Sequence, residues 1–212
     1  MDSKICYIFG AGEQSSCDIR LSGSDLVIAA DGGFDYLKKL GLRADIVLGD
    51  FDSLSDSQNL PEDFIRYPKE KDDTDMMIAI KEGLARGYRT FRIYGGLGGR
   101  LDHTIANLQC LTFLAENQAV GTLYSDDYQV TVIKDGTLSF AKDSPENVPG
   151  NLCSVFSLSD ISVGVSIQGL KYELDRVTLT NGFPLGVSNE FLGKKSFIHV
   201  EKGTLAVYWN CQ

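Results

Sequence analysis

The chain has 212 residues, 43% apolar and 23% charged, enough for one large domain or two small ones around a buried core. A formal charge of −9 and a pI near 4.7 argue against a nucleic-acid partner, whose phosphates call for a basic stripe, yet leave room for a small anionic ligand neutralised by bound metal. Five widely spaced cysteines, Cys6, Cys17, Cys110, Cys153 and Cys211, with no C-x-x-C pair, point to a reducing compartment and away from a zinc site.

Met1-Asp2-Ser3-Lys4 runs into a short apolar stretch ending at Gly10, with no extended h-region or cleavage site, and no run approaches about 18 apolar residues. A cytoplasmic protein without a membrane span is therefore expected. Ile5 to Phe9 predicts a first strand, and Leu26 to Ala30 and Ile46 to Leu48 predict buried strands, each followed at once by an acid and glycine, Asp31-Gly32-Gly33 and Gly49-Asp50. A short helix is expected from Phe34 to Leu40, stopped by Gly41. A longer one begins near Thr74, capped by Thr74 or Asp73, with Met76, Ile80 and Leu84 as its buried stripe, and ends at Gly87. Thr90 to Tyr94 returns as a strand into the Gly95 to Gly99 tract. A helix from about His103 to Glu116 buries Ile105, Leu108, Leu111 and Ala115, and Val120 to Tyr124 is the last strand of this part. The pattern is that of βαβ units around a mainly parallel sheet.

After Ser125-Asp126-Asp127 short strands and tight turns take over. Tyr128 to Ile133 and Thr137 to Phe140 flank Lys134-Asp135-Gly136, and Phe197 to Glu201 and Thr204 to Trp209 flank Lys202-Gly203, so two hairpins are expected. Leu152 to Leu158, Ile161 to Ile167 and Arg176 to Thr180 add strands. The expected fold is an α/β domain over 1–125 followed by an all-β sandwich or barrel over 126–212.

Three clusters carry the chemistry: Gly49-Asp50-Phe51-Asp52-Ser53, Lys71-Asp72-Asp73-Thr74-Asp75, and Gly95 through Arg100 to Asp102-His103. Polar residues at strand exits matter because open α/β sheets bind ligands beyond the carboxyl ends of their strands. Asp50 and Asp52, one residue apart, project the same way on extended backbone, and a divalent cation would offset their repulsion, with Asp75 able to add a third hard oxygen. Solvated loop acids are the bland alternative. Gly95, Gly96, Gly98 and Gly99 lie between a strand and a helix, where N–H groups and the positive helix end favour phosphate, and Arg100 follows with a planar fork. Neither a Walker loop nor a dinucleotide fingerprint is present, since Gly10-Ala11-Gly12 lacks a third glycine. Asp31 either accepts from a ribose or amine or caps a helix. His103, beside Asp102, is a hydrogen-bonding group or a proton carrier, and His199 falls inside a strand as a structural residue.

In order and spacing these strings, together with Ala30-Asp31-Gly32-Gly33, Asn107, Gly169-Leu170-Lys171-Tyr172 and Ser188-Asn189-Glu190-Phe191, resemble the bacterial-type thiamine pyrophosphokinases over essentially the full length. That resemblance implies transfer of the pyrophosphoryl group of ATP to the hydroxyl of thiamine, giving thiamine diphosphate and AMP. It also implies a homodimer whose α/β domain holds Mg-ATP and whose β domain helps form a thiamine pocket at the subunit interface. By resemblance Asp50, Asp52 and Asp75 hold Mg²⁺, and Asp72, Thr74, the Gly95 to Gly99 loop, Arg100, Asp102 and His103 hold the nucleotide along with Asp31, Gly32 and Gly33. Ser188 and Asn189 meet the thiamine pyrimidine, with Phe191 as the aromatic neighbour. The competing readings are a pyrophosphokinase for another alcohol such as a pterin, and a non-catalytic Mg-nucleotide sensor.

Overall fold

A computed structural model describes residues 4–15, 19–49, 64–66 and 72–211. Contacts divide the chain into two compact units, Met1–Ser125 and Asp126–Gln212.

In the first unit the strands are β1 (Ile5–Phe9), β2 (Leu26–Ala30), β3 (Ile46–Gly49), β4 (Phe64–Arg66), β5 (Thr90–Tyr94) and β6 (Val120–Tyr124). They lie in the order β6-β5-β1-β2-β3-β4, every neighbouring pair parallel. Strands β1 to β3 are buried almost throughout, as expected when helices cover both faces of a parallel sheet. Helix α1 (Gly33–Leu40) packs on β1 and β2, placing Phe34, Tyr36 and Leu37 in a core with Tyr7, Phe9, Val27 and Ala29. Gly41 ends it in a left-handed conformation, φ 68°. Helix α2 (Asp75–Ala85) packs on β1, β2 and β3, and α3 (Leu101–Glu116) on α2 and β6.

The buried face of α3 differs from the expected stripe: Asn107, Cys110, Leu111 and Leu114 point inward, while Ile105 is 52% exposed. Gly121 on β6 sets this orientation, because a Cβ there would lie 2.5 Å from Leu114 Cδ1 and 2.8 Å from Leu111 Cδ2. The sheet is open to these two leucines at that point, and the helix turns them into it.

The second unit holds two antiparallel sheets. One runs β12 (Gly186–Glu190), β9 (Leu152–Ser157), β14 (Thr204–Asn210), β7 (Tyr128–Lys134); the other runs β11 (Leu174–Thr180), β10 (Ile161–Gln168), β13 (Ser196–His199), β8 (Thr137–Phe140). Val155, Leu205 and Val207 of the first share one apolar core with Phe140, Val165, Ile167 and Ile198 of the second. The expected hairpins do not form. Strand β7 pairs with β14, and β8 with β13, so both predicted hairpin turns carry the chain from one sheet to the other. The two turns brace each other: Asp135 N donates to Gly203 O at 3.1 Å, Gly203 N to Asp135 Oδ1 at 2.7 Å, and Val200 N to Gly136 O at 2.9 Å. Period-2 alternation marks a strand but carries no label for the sheet it enters. His199 sits in β13 with Nδ1 2.8 Å from the Thr137 hydroxyl, a cross-strand role consistent with its structural reading. Among the described residues no helix is long and apolar enough to cross a membrane.

Candidate active site

The order β2-β1-β5 has a consequence for ligand binding. The chain leaves β1 toward β2 and later returns to the opposite side of β1 as β5, so the loops after β1 and β5 diverge at a topological switch point. A cleft of about 510 Å³ opens there. Its floor is Gly10, Ala11 and Gly12 after β1 and Gly95, Gly96, Gly98 and Gly99 after β5. Ala30 and Asp31 enter from β2, and the starts of α2 and α3 supply Thr74, Asp75 and Met76, and His103, Ala106 and Asn107. Two helix N-termini thus face one space, a field that favours anions.

The two glycine loops are zipped together by Gly10 N to Tyr94 O at 2.8 Å, Gly12 N to Gly95 O at 2.8 Å and Glu13 N to Leu97 O at 3.0 Å. Gly95 is required twice over: its φ is 64°, and a Cβ on it would sit 2.3 Å from Gly10 O. Gly99, with φ 63° and open space where its Cβ would be, is required only for the turn. Asn107 reaches back from α3 to donate Nδ2 to Gly96 O at 2.6 Å. Gly10 and Gly12, set aside as half a dinucleotide fingerprint, are the residues that sequence reasoning missed. The available signal was their position immediately after a buried strand.

Asp31 takes a left-handed φ of 52°, which a short polar side chain tolerates. It lines the cleft and does not cap α1: Gly32 occupies that position without a side-chain cap. Gly33 is structural, because a Cβ there would fall 1.8 Å from Phe9 O. Thr74 caps α2 as expected, Oγ1 accepting from Met77 N at 3.2 Å, and so presents Asp75 on the first turn. Asp73 is held by Lys81 at 2.5 Å, and Asp72 is exposed outside the cleft lining. Asp50 and Asp52 lie outside the described residues. Among the described residues no group of three His, Cys, Asp or Glu side chains could hold a metal ion.

Arg100 stands at the rim with its fork on Asp102, Nε to Oδ1 at 3.1 Å and Nη2 to Oδ2 at 2.5 Å. Oδ1 also accepts from His103 N at 3.0 Å. These bonds hold the Asp102 carboxyl below its usual pKa and raise that of Arg100, the Arg100–Asp102 hydrogen bond being the main cause for both. Both side chains are mostly exposed, so the pair is a loose one that a better anion can open. Asp102 thus touches Arg100 and the start of α3, and does not line the cleft.

In the second unit Ser188 and Asn189 lie on β12, a strand whose register against β9 shifts between Gly186 and Asn189. Ser188 is exposed at φ 59°. Asn189 is buried, and its amide is spent on backbone: Oδ1 accepts from Tyr172 N and Glu190 N, both at 2.9 Å, and Nδ2 donates to Tyr172 O at 2.7 Å. Phe191 is 0% exposed and packs edge-on against Phe140, ring centroids 5.0 Å apart. Within the second unit neither presents a free face to solvent. They fix the Gly169 to Tyr172 turn instead, aided by Lys171 N to Glu190 O at 3.0 Å and a Lys171–Glu190 ion pair at 2.7 Å. Tyr172, 58% exposed, is the aromatic ring left facing outward beside Asn189.

Comparison with known proteins finds two family domains along the chain. The thiamin pyrophosphokinase catalytic domain matches residues 18–121, and the thiamin pyrophosphokinase vitamin B1 binding domain matches residues 142–205. The thiamine pyrophosphokinase of Bacillus subtilis (strain 168) is 26% identical over 186 residues, covering 85% of each chain. Thiamin pyrophosphokinase 1 of Caenorhabditis elegans is 23% identical over 180 residues, covering 81% of this chain and 73% of the relative. The crystal structure of the Geobacillus thermodenitrificans thiamin pyrophosphokinase aligns with a TM-score of 0.82 at 25% identity over 98% of each chain. That of the Bacillus subtilis protein has the same fold, with a TM-score of 0.84 at 24% identity over 99% of this chain and 100% of the other. With both family domains matched in order along one chain, this protein belongs to the thiamin pyrophosphokinase family.

Proposed function

We propose that the chain transfers the pyrophosphoryl group of ATP to the hydroxyl of thiamine, releasing AMP and thiamine diphosphate. The observation that carries this reading is the glycine-floored cleft at the β1/β5 switch point, where Asp31, Asp75 and Arg100 meet two helix N-termini. The N–H groups of Gly98 and Gly99 donate to no backbone carbonyl among the described residues, and they suit phosphate oxygens. Arg100 shifts from Asp102 to the polyphosphate as charge develops during in-line attack of the thiamine hydroxyl on the β-phosphorus. Positioning and electrostatics account for most of the acceleration.

The donors that Asp31 and Asp75 bring to the cleft are carboxylate oxygens, the ligand type Mg²⁺ prefers. Asp75, with Asp50 and Asp52, would hold the ion. When bound it neutralises charge on the polyphosphate.

Residues 1–125 form the Mg-ATP catalytic domain in this reading, a doubly wound and mainly parallel unit. Residues 126–212 form a β-sandwich that binds thiamine and dimerises the protein. Tyr172 replaces Phe191 as the stacking ring, since a flat heterocycle and its thiazolium cation both suit an exposed aromatic face. The Ser188 hydroxyl supplies a polar contact beside it. The buried free thiols Cys6, Cys110 and Cys153 suit a cytoplasmic setting.

Purified protein given Mg-ATP and thiamine should yield AMP and thiamine diphosphate in equal amounts. ADP as the product would mark an ordinary kinase, turnover only with another alcohol would move the acceptor assignment, and ATP binding without turnover would leave a sensor.

A further inference from the structure

Four successive carbonyls, from the last residue of β5 into the loop after it, each accept a hydrogen bond from another segment. Tyr94 O, Gly95 O and Leu97 O are held by Gly10 N, Gly12 N and Glu13 N at 2.8, 2.8 and 3.0 Å, and Gly96 O by Asn107 Nδ2 at 2.6 Å. This matters for an anion site. A glycine-rich backbone flips its peptides at little steric cost, and a peptide that turns its oxygen toward phosphate replaces an attractive dipole with a repulsive one. Three of the four restraints are backbone bonds to one neighbouring segment. The fourth is a single side chain that is buried, 8% exposed, on the inward face of an otherwise apolar helix surface. A buried asparagine in such a place needs a partner, and the partner here is the carbonyl between Tyr94 and Leu97 that the β1 segment leaves unheld.

We propose that Asn107 is a positioning residue: it fixes the Gly96–Leu97 peptide so that the carbonyl stays turned away from the triphosphate, and the following N–H groups stay turned toward it. The proposal rests on the ATP reading of the cleft. Asn107 itself takes no part in bond making.

Asn107→Ala weakens Mg-ATP binding measured by calorimetry about tenfold or more, the size of a lost buried hydrogen bond to an anion-orienting group, while the KM for thiamine changes less than about twofold. Asn107→Asp supplies a readout that packing alone would not move. Its carboxylate repels Gly96 O, whereas its protonated form can donate to it, and burial raises its pKa. Its deficit in ATP affinity relative to wild type therefore shrinks about tenfold between about pH 8 and about pH 5.5. A deficit independent of pH, or unchanged ATP affinity in Asn107→Ala, overturns the role. Should both variants fail to fold, the wild-type side-chain amide protons of Asn107 decide by NMR: they keep their exchange protection when Mg-ATP binds, and loss of it overturns the role. Wild-type protein that binds Mg-ATP but forms no AMP sinks the pyrophosphokinase reading instead, with the binding comparison still deciding on Asn107.

Discussion

Arg100 and Asp102 show how a carboxylate can hold a guanidinium ready for a ligand that it does not itself touch. The guanidinium is held in a two-bond fork by a carboxylate, and that carboxylate is itself anchored to the first turn of α3 through His103 N. The fork is thus presented at the rim in the orientation that two phosphate oxygens require. Arg100→Lys keeps the charge and loses the fork. The expected outcome is a fall in kcat of about tenfold to a hundredfold, with a smaller change in ATP affinity, read by steady-state kinetics against direct binding. An unchanged kcat would remove Arg100 from the developing-charge role. Phe191 and Tyr172 make a contrasting pair. Phe191→Ala opens a cavity in the second unit's core and costs about 3–5 kcal/mol in urea unfolding. Tyr172→Ala, at an exposed position, leaves stability within about 0.5 kcal/mol but raises the KM for thiamine, and Tyr172→Phe restores it. If Phe191→Ala shifted the thiamine KM in a fully stable protein, the two assignments would have to be exchanged.

Whole elements were more legible than their faces. β1, β2, β5 and β6 span the residues expected of them; for β1 and β2 this is because a strand buried on both sides needs only continuous hydrophobicity and a glycine or polar stop. Helix α2 announces its start through Thr74, whose hydroxyl does cap it. Three features resisted. The inward face of α3 depends on Gly121 across the interface and on the polar bond of Asn107 to Gly96 O, neither of which has a hydrophobic signature. Strand β12 is interrupted by a register shift and by Ser188 at positive φ, so its alternation is broken where Ser188 and Asn189 read as a recognition motif. Both predicted hairpins ignored the choice of sheet, which the mutual bracing of two turns determines. At the site, the strand exits were readable, while the burial of Asn189 and Phe191 was not, since a motif does not say which way its side chains face. The cap on α2 is testable at this scale. Thr74→Ala costs about 1 kcal/mol in thermal unfolding and, by fraying the turn that carries Asp75, raises the Mg²⁺ concentration needed for half-maximal turnover. Thr74→Ser keeps both near wild type, and equal losses in Ser and Ala would point to the methyl group instead.

Across the whole molecule, buried thiols link both units to alkaline pH. Cys6 and Cys110 lie in the first unit and Cys153 in the second. Burial is the main cause that pushes Cys110 from an ordinary 9.0 up to about 11 and Cys153 up to about 12, and it raises Cys6 further still. Because the folded thiols hold their protons to higher pH than the unfolded ones, their contribution to stability is complete below about 9 and is lost as pH rises toward the folded values. For each thiol the slope approaches about 1.4 kcal/mol per pH unit in that window. The melting temperature should therefore fall between pH 9 and 11, and Cys153→Ala should have a shallower fall than wild type, whatever its starting stability. The same protons make these groups poor nucleophiles: iodoacetamide at about pH 8 should leave Cys6, Cys110 and Cys153 unmodified in folded protein and alkylate all three after denaturation, as peptide mass analysis would resolve. Labelling of Cys153 in the folded protein, or a parallel pH slope in Cys153→Ala, would mean that the second unit's core admits solvent and that its two sheets are not sealed around Phe191 and Trp209.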